Sequence, residues 1–219
     1  MGTAKTTTES VKQIHYLAAA LKAPRITEAA ARLADQGRDA GWTFEDYLAA
    51  VLEREVSARN ASGAELRIRA AGFGARKTIE DFDFDAQPAI DEAMVRELAT
   101  LRFLDDATNV LLIGPPGVGK TMLAVALGRA SIDAGYRTYY TTAAELAARC
   151  HRAALEGRWA TTMRFYAGPR LLIVDEVGYL PMASEAAAAL FQVITQRYLK
   201  ASICLTTNLG VGSWGTIFD

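Results

Sequence analysis

The stretch NVLLIGPPGVGKT, residues 109–121, constrains the fold of this chain more than any other. Four apolar residues, Val110 to Ile113, predict a short buried strand, and a loop rich in Gly and Pro follows it. The loop ends at Lys120 and Thr121, where an amphipathic pattern predicts the start of a helix. A strand that passes through a glycine-rich turn into a helix is typical of α/β domains with a parallel sheet.

The loop also meets the pattern G-x-x-x-x-G-K-[ST], which predicts a phosphate-binding site rather than an ordinary turn. Glycines let backbone N–H groups turn toward phosphate oxygens, and the helix presents its positive N-terminal end to the same anion. We expect Lys120 to reach the β- and γ-phosphates of ATP and the Thr121 hydroxyl to ligate Mg²⁺. The predicted nucleotide-binding residues are Gly114, Pro115, Pro116, Gly117, Val118, Gly119, Lys120, Thr121 and Met122.

A second apolar run, beginning at Leu171, ends in two carboxylates, Asp175 and Glu176. It predicts a strand from Leu171 to Asp175 that is buried on both faces. In P-loop ATPases the first such acid holds the Mg²⁺ shell, so Asp175 joins Thr121 as a predicted metal residue. Glu176, predicted to lie just outside the strand, can polarise the attacking water. The alternative is that the strand simply ends in two solvated acids. However, one strand–helix unit separates this strand from the phosphate loop, and that spacing favours a site that the acids share with the loop.

A further strand, Ser202 to Thr207, precedes Asn208. Ligands of open α/β sheets bind at the carboxyl ends of the strands, so Asn208 can touch the γ-phosphate or orient water. Asn208 therefore joins Lys120 and Glu176 as a predicted catalytic residue, with a simple turn-starting Asn as the alternative.

The rest of the chain predicts a helical N-terminal domain at 1–75, a linker at 76–88 and a nucleotide domain at 89–219. Residues 1–10 are expected to be frayed. Predicted helices run from Val11 to Leu21, from Thr27 to Gly41, from Thr43 to about Gly72 and from Ala89 to about Arg102. The arginines in the later part of the third helix either face DNA or form ion pairs on a solvated face. Phe82 and Phe84 either stack on adenine or anchor the linker to the core.

Composition excludes several classes of protein. The net charge of −1 gives no overall signal for nucleic acid, so a DNA contact must come from a local patch. Cys150 and Cys204 lack metal-ligand spacing, which indicates buried, reduced thiols. No apolar run is long enough to span a membrane, and the polar N-terminus is unlike a signal peptide, so a cytoplasmic location is expected.

Three motifs together resemble a known family. GPPGVGKT, LLIVDEVGYLP and TTNL followed by a tryptophan are similar to the IstB family, AAA+ helper ATPases of insertion-sequence transposition related to DnaC helicase loaders. The resemblance covers roughly Val11 to the end of the chain. It implies a P-loop ATPase of AAA+ type that assembles as an ATP-dependent oligomer on double-stranded DNA and recruits or stimulates a transposase. It also implies that Lys120 and Thr121 belong to Walker A, that Asp175 and Glu176 form Walker B, and that Asn208 is the first sensor.

The resemblance also implies C-terminal elements that the 219 residues of this sequence do not include. Family members carry a further core strand, an arginine finger and a second sensor arginine after the position of Trp214. We therefore expect a chain shortened at its C-terminus, with a central strand left as a sheet edge. Hydrolysis is expected to be weak or absent, because an arginine finger is worth about 10³–10⁵ in rate in related systems.

Residues 142–170 form the one strongly basic local segment of the sequence. Its aromatic residues, Trp159 and Phe165, and its excess of arginine predict phosphate contacts that are tolerant of sequence, with a solvated helix pair as the alternative. The predicted DNA-binding residues are Arg149, Arg152, Arg158 and Arg164, with His151 and Arg170 in the same segment.

Two other functions remain open from the sequence. A DnaC-like helicase loader would share the ATPase motifs but act through a replicative helicase, and the run DEVGYLP favours the transposition helper over it. A small-molecule P-loop kinase is disfavoured, because no lid with arginines is visible between the last strands.

Overall fold

The computed structural model describes residues 3–73, 77–179 and 184–215. Its contacts divide the chain into two compact units, Met1–Glu65 and Leu66–Asp219. The limits of the helical domain, the linker and the nucleotide domain given above remain predictions. Within the described ranges, no helix is both long and apolar enough to cross a membrane.

The described part of the first unit is helical. Its helices are α1 (Thr3–Ala20), α2 (Pro24–Ala40) and α3 (Phe44–Ala71), the last of which runs on into the second unit. The predicted start of the first helix, Val11, was eight residues late, because no Gly or Pro interrupts the chain between Thr3 and Ala20. The predicted start of α2 was three residues late, because Pro24 suits a first helical turn, where a missing N–H costs no hydrogen bond.

A small apolar cluster packs α2 against α3, with Ala29, Leu33 and Val51 buried. Gly41 ends α2 in the left-handed conformation with φ of 67°, which confirms the predicted stop. Thr43 Oγ1 accepts a hydrogen bond from the Asp46 N–H at 3.1 Å, so α3 begins where the sequence predicted.

One of the α3 arginines has an internal role. Arg59 Nε donates to Glu55 Oε1 at 2.6 Å, and Arg59 Nη2 donates to the Lys22 carbonyl at 2.7 Å. The buried Glu55 also accepts from the Arg25 N–H at 3.0 Å. For Arg59, these contacts favour the ion-pair interpretation over a DNA-facing side chain.

The second unit contains a four-stranded parallel sheet in the order β1-β4-β3-β2. Its strands are β1 (Val110–Ile113), β2 (Thr138–Thr142), β3 (Leu171–Val177) and β4 (Ser202–Thr207). Its helices are α4 (Glu92–Ala99), α5 (Arg102–Asp105), α6 (Lys120–Asp133), α7 (Ala143–Leu155), α8 (Trp159–Ala167) and α9 (Ser184–Arg197). Among the described residues β1 pairs with β4 alone, so β1 is an edge of the sheet.

Helices cover both faces of this sheet. Leu171 and Ile173 of β3 pack into one core cluster with residues of α6, while Leu172 and Val174 pack into another with residues of α7, α8 and α9. Successive side chains of a strand point to opposite faces of the sheet, and β3 is apolar on both faces. Its alternate residues therefore belong to two different core clusters. The predicted α/β fold with flanking helices is confirmed. Both cysteines are buried free thiols, as predicted, and burial raises the pKa of Cys150 to about 11.

The boundaries of two elements of the nucleotide domain were predicted wrongly. The helix expected from Ala89 to about Arg102 is shorter at both ends, since α4 covers Glu92–Ala99. Leu101, with a left-handed φ of 65°, separates α4 from α5. Strand β3 continues to Val177 instead of ending at Asp175, since Val177 pairs with Thr207 after a bulge.

The aromatic residues before α4 belong to the core. Phe82 is 8% exposed and lies in the cluster that packs on α6, and its ring centroid is 4.9 Å from that of Phe84. These contacts favour the anchoring role over adenine stacking for Phe82. Phe82 also lies against the loop at residues 114–119. A Cβ added to Gly119 in that loop would be only 2.5 Å from Phe82 Cε2.

Candidate functional site

The loop at residues 114–119 joins β1 to α6, which confirms the strand–loop–helix context that the motif requires. Gly117 and Gly119 have φ of +83° and +91°, a conformation that residues with a side chain rarely adopt. The Gly114 N–H donates to the Thr207 carbonyl at 3.2 Å, which anchors the loop to the end of β4. Pro115 and Pro116 are exposed at the surface of the loop.

The first turn of α6 carries the two polar residues of the motif. Lys120 Nζ donates to the Pro115 carbonyl at 2.8 Å, so the ammonium group lies over the loop. Thr121 Oγ1 donates to Asp175 Oδ1 at 3.1 Å. Met122 and Val118 are half-buried, and Met122 packs against the core cluster beside α6. Two stretches far apart in sequence, the loop and the end of β3, therefore meet at Thr121 and Asp175.

Asp175 is a buried carboxylate held by three hydroxyl groups. It is 2% exposed. Oδ1 accepts from Thr121 and from Thr206, and Oδ2 accepts from the Tyr140 hydroxyl at 2.7 Å. Burying a polar group without partners is costly, and these three donors replace the hydrogen bonds to water that the carboxylate loses.

Tyr140 was missed by the sequence analysis. It lies in β2, outside both motifs, and its ring packs edge-on against Phe73 with 6.1 Å between centroids. Burial, and then the hydrogen bond to Asp175, raise the pKa of the Tyr140 phenol far above its ordinary value, so the hydroxyl stays a donor at neutral pH. The sequence signal that could have identified Tyr140 was a tyrosine in a strand whose carboxyl end lies at the same edge of the sheet as Asp175.

Glu176 was predicted to lie outside the strand but lies within it. Its φ of 61° is left-handed, and the register of β3 against β4 shifts between Val174 and Val177. This bulge exposes the Glu176 side chain at the edge of the sheet while Asp175 and Val177 stay buried. Strained backbone of this kind is concentrated at functional sites.

The end of β4 completes the arrangement. Thr206 Oγ1 donates to Asp175 and accepts from the Glu176 N–H at 3.0 Å, so one buried hydroxyl contacts both acids. Thr207 Oγ1 accepts from the Leu209 N–H at 3.1 Å, which shapes the turn after the strand. Asn208 is half-buried, and its Oδ1 is a buried acceptor with no hydrogen-bond partner in the described part of the chain.

These residues fit ATP and Mg²⁺. The glycine conformations and the helix start provide backbone N–H groups for an anion, and Lys120 adds a positive charge. Thr121 and Asp175 offer the oxygen ligands that Mg²⁺ prefers. The described ranges contain no group of three or more His, Cys, Asp or Glu side chains able to hold a metal.

Three of the four predicted DNA-binding arginines meet in one place. Arg149, Arg152 and Arg158 line an open cavity of about 460 Å³ together with Phe165, and we call this surface the basic groove. The Arg149 guanidinium lies 3.9 Å from the Phe165 ring centroid, and its Nη1 donates to the Tyr139 hydroxyl at 3.3 Å. Such stacking orients the guanidinium without neutralising its charge.

The remaining basic residues of the segment lie elsewhere. Arg164 is exposed on α8, outside the groove lining, with Thr161 Oγ1 at 3.5 Å from Nη2. Arg170 donates to the carbonyls of Leu104, Asp105 and Lys200. Its guanidinium therefore links the backbone at the end of α5 to the backbone just before β4. His151 is exposed on α7.

A parallel sheet with this loop, this pair of acids and helices on both faces defines a P-loop nucleotide-binding domain. The model of the IstB-like ATP binding protein family matches residues 16–219. The chain belongs to this family. The resemblance stated from the three motifs is thereby confirmed.

Curated relatives agree with the family assignment. An ATP-binding protein named for insertion sequence IS5376 of Geobacillus stearothermophilus is 39% identical over 206 residues, covering 94% of this chain and 82% of that protein. One named for insertion sequence IS21 of Pseudomonas aeruginosa is also 39% identical over 206 residues, covering 94% and 78%.

Solved structures share the fold. The DnaC helicase loader matches with a TM-score of 0.53 and 22% identity, covering 69% of this chain and 89% of that one. AMPPCP-bound DnaA from Aquifex aeolicus matches with a TM-score of 0.56 and 22% identity, covering 63% and 43%. At this level of identity the similarity concerns the fold alone.

Proposed function

We propose that this chain is an ATPase that helps insertion-sequence transposition by assembling on duplex target DNA and recruiting or stimulating a transposase. The observation that carries the proposal is the hydrogen bond between Thr121 and Asp175, which joins the two halves of a phosphate and metal site. Membership in a family named for ATP binding, with relatives named for insertion sequences, supports it.

In this proposal the loop amides and Lys120 bind the phosphates of ATP, and Thr121 and Asp175 hold Mg²⁺. When bound there, the metal would supply positive charge against the phosphate oxygens. Glu176, exposed at the bulge, acts as the base that polarises water, and Asn208 orients the water or the γ-phosphate. The buried Oδ1 of Asn208, which has no partner in the described residues, supports that role.

The proposed DNA contact is the basic groove. Arg149 and Arg152 lie on α7, and Arg158 is the N-cap residue of α8. Contacts of this kind act on phosphates and do not require particular bases. Asp175 pairs with Thr142 across the sheet, and Thr142 is the N-cap of α7. A nucleotide-dependent movement of Asp175 would therefore reach the DNA-contacting helix through this one pair of residues. Binding to duplex DNA as an oligomer, in the cytoplasm, belongs to the same proposal.

A helicase-loader function has less support. The DnaC loader shares the fold at 22% identity, whereas the relatives at 39% identity are named for insertion sequences. A pull-down with a replicative helicase, run beside duplex DNA binding, separates the two functions.

The test is fluorescence anisotropy of labelled duplex DNA with and without Mg·ATP across a salt series. We expect binding that requires Mg·ATP and weakens steeply with salt, because each phosphate contact releases counterions. Binding without nucleotide dependence, or none under any condition, would contradict the proposed coupling. Lys200→Ala serves as a control, since Lys200 is an exposed cation outside the loop and the basic groove.

A further inference from the structure

The carboxylate of Asp175 depends on hydroxyl donors from three separate elements. Thr121 lies in the first turn of α6, Thr206 lies in β4 and Tyr140 lies in β2. Among the described residues Asp175 forms no ion pair, although it is 2% exposed. The orientation of this group therefore rests on hydroxyl groups.

We infer that Tyr140 and Thr206 are positioning residues that hold the Asp175 carboxylate in the orientation needed for Mg²⁺. The inference rests on the proposed function, because the metal is the one that accompanies ATP. Neither hydroxyl belongs to the loop motif or to the acid pair.

Tyr140 fixes one side of the carboxylate. Its hydroxyl donates to Oδ2 at 2.7 Å, and Oδ2 has no second donor among the described residues. The ring is held edge-on by Phe73, with an interplanar angle of 65°. A half-buried ring held in this way places its hydroxyl at a defined point, so the carboxylate is held against rotation on that side.

Thr206 fixes the other side. Its hydroxyl has one proton, which it donates to Asp175 Oδ1, and its oxygen accepts from the Glu176 N–H at 3.0 Å. One side chain, 1% exposed, therefore sets both the orientation of Asp175 and the bulge that exposes Glu176. Outer partners of this kind typically change metal affinity by about 10–100-fold when they are removed.

The test measures Mn²⁺, a probe for the Mg²⁺ site, by the electron paramagnetic resonance of the free ion in the presence of a non-hydrolysable ATP analogue. Tyr140→Phe removes only the hydroxyl. Tyr136→Phe is the matched control, because Tyr136 packs against the same core cluster and is likewise half-buried. We expect Tyr140→Phe to weaken Mn²⁺ binding about tenfold, with analogue binding in EDTA unchanged and Tyr136→Phe unaffected.

A second pair of variants tests Thr206 and keeps the inference open to test if one variant fails to fold. Thr206→Val removes the hydroxyl at nearly constant volume, and Thr206→Ser retains it. We expect weakened Mn²⁺ binding in Thr206→Val and recovery in Thr206→Ser.

The outcomes separate the inference from the proposed function. Equal Mn²⁺ affinity in Tyr140→Phe and Tyr136→Phe, with tight binding by the wild type, overturns the positioning role alone. An equal loss of analogue binding in EDTA overturns it too, because that result indicates a purely structural role. Absence of analogue-dependent Mn²⁺ binding in the wild type overturns the proposed function and this inference together.

Discussion

The carboxyl edge of the sheet and the basic groove are both rich in polar groups, but they are built differently. At the edge, Asp175 is 2% exposed and Thr206 is 1% exposed, and each has partners from other elements. In the groove, Arg152 and Arg158 are exposed, and Arg158 pairs with the nearby Glu156. A buried polar site depends on every partner, whereas exposed cations act nearly independently.

This contrast predicts that changes at the edge affect nucleotide binding or hydrolysis, with DNA binding lost where nucleotide binding is lost, while changes in the groove affect DNA binding alone. The following variants test that asymmetry, in order of decreasing expected effect.

Lys120→Ala should abolish nucleotide binding. Charge-assisted hydrogen bonds to two phosphates are worth about 1.5–3 kcal/mol each, so the affinity should fall by about 100-fold or more. Titration with a fluorescent ATP analogue measures the loss, and Lys200→Ala is the control. ATP-dependent DNA binding should disappear as well. Tight ATP binding by Lys120→Ala would contradict the assignment of this loop as the phosphate-binding site.

Glu176→Gln should leave Mg·ATP binding intact and lower the hydrolysis rate by about 100-fold, the scale of a lost general base. Phosphate release and analogue binding are measured on the same samples. Glu97→Gln is a control because Glu97 lies on α4 and pairs with Arg102. Loss of Mg·ATP binding in Glu176→Gln would mean that the roles assigned to Asp175 and Glu176 are wrong.

Gly119→Ala should destabilise the fold more than Gly117→Ala. Both positions have a left-handed φ, which costs about 1–2 kcal/mol for alanine. Only at Gly119 would the new Cβ lie 2.5 Å from Phe82, and overpacking adds about 1–3 kcal/mol. Urea unfolding without nucleotide compares the two free energies of unfolding. Equal losses would show that Phe82 does not press on the loop.

Arg152→Ala should have the smallest effect. It should weaken ATP-dependent duplex binding a few-fold and reduce the slope of log affinity against log salt by about one, with nucleotide affinity unchanged. Anisotropy across a salt series measures both, with Arg96→Ala on α4 as the control. An unchanged slope would place the DNA contact outside the basic groove.

Much of the candidate site could be predicted from local patterns. The loop, β4 and the first acid of β3 lie where fixed spacing and short apolar runs predicted them. Arg170 shows the limit of composition: it belongs to the basic segment, yet its guanidinium donates to carbonyls of Leu104 and Lys200, both distant in sequence. A local excess of arginine does not indicate which guanidinium groups reach solvent.

The sequence by itself determined the order of strands and helices, the phosphate loop and the pair of acids, because each depends on residues that are neighbours along the chain. The tertiary structure decided which hydroxyls surround Asp175 and which arginines share the basic groove. Tyr140, Asp175 and Thr206 meet because β3 lies between β2 and β4 in the sheet. That order is a property of how the strands pack, and no periodicity within a single strand encodes it.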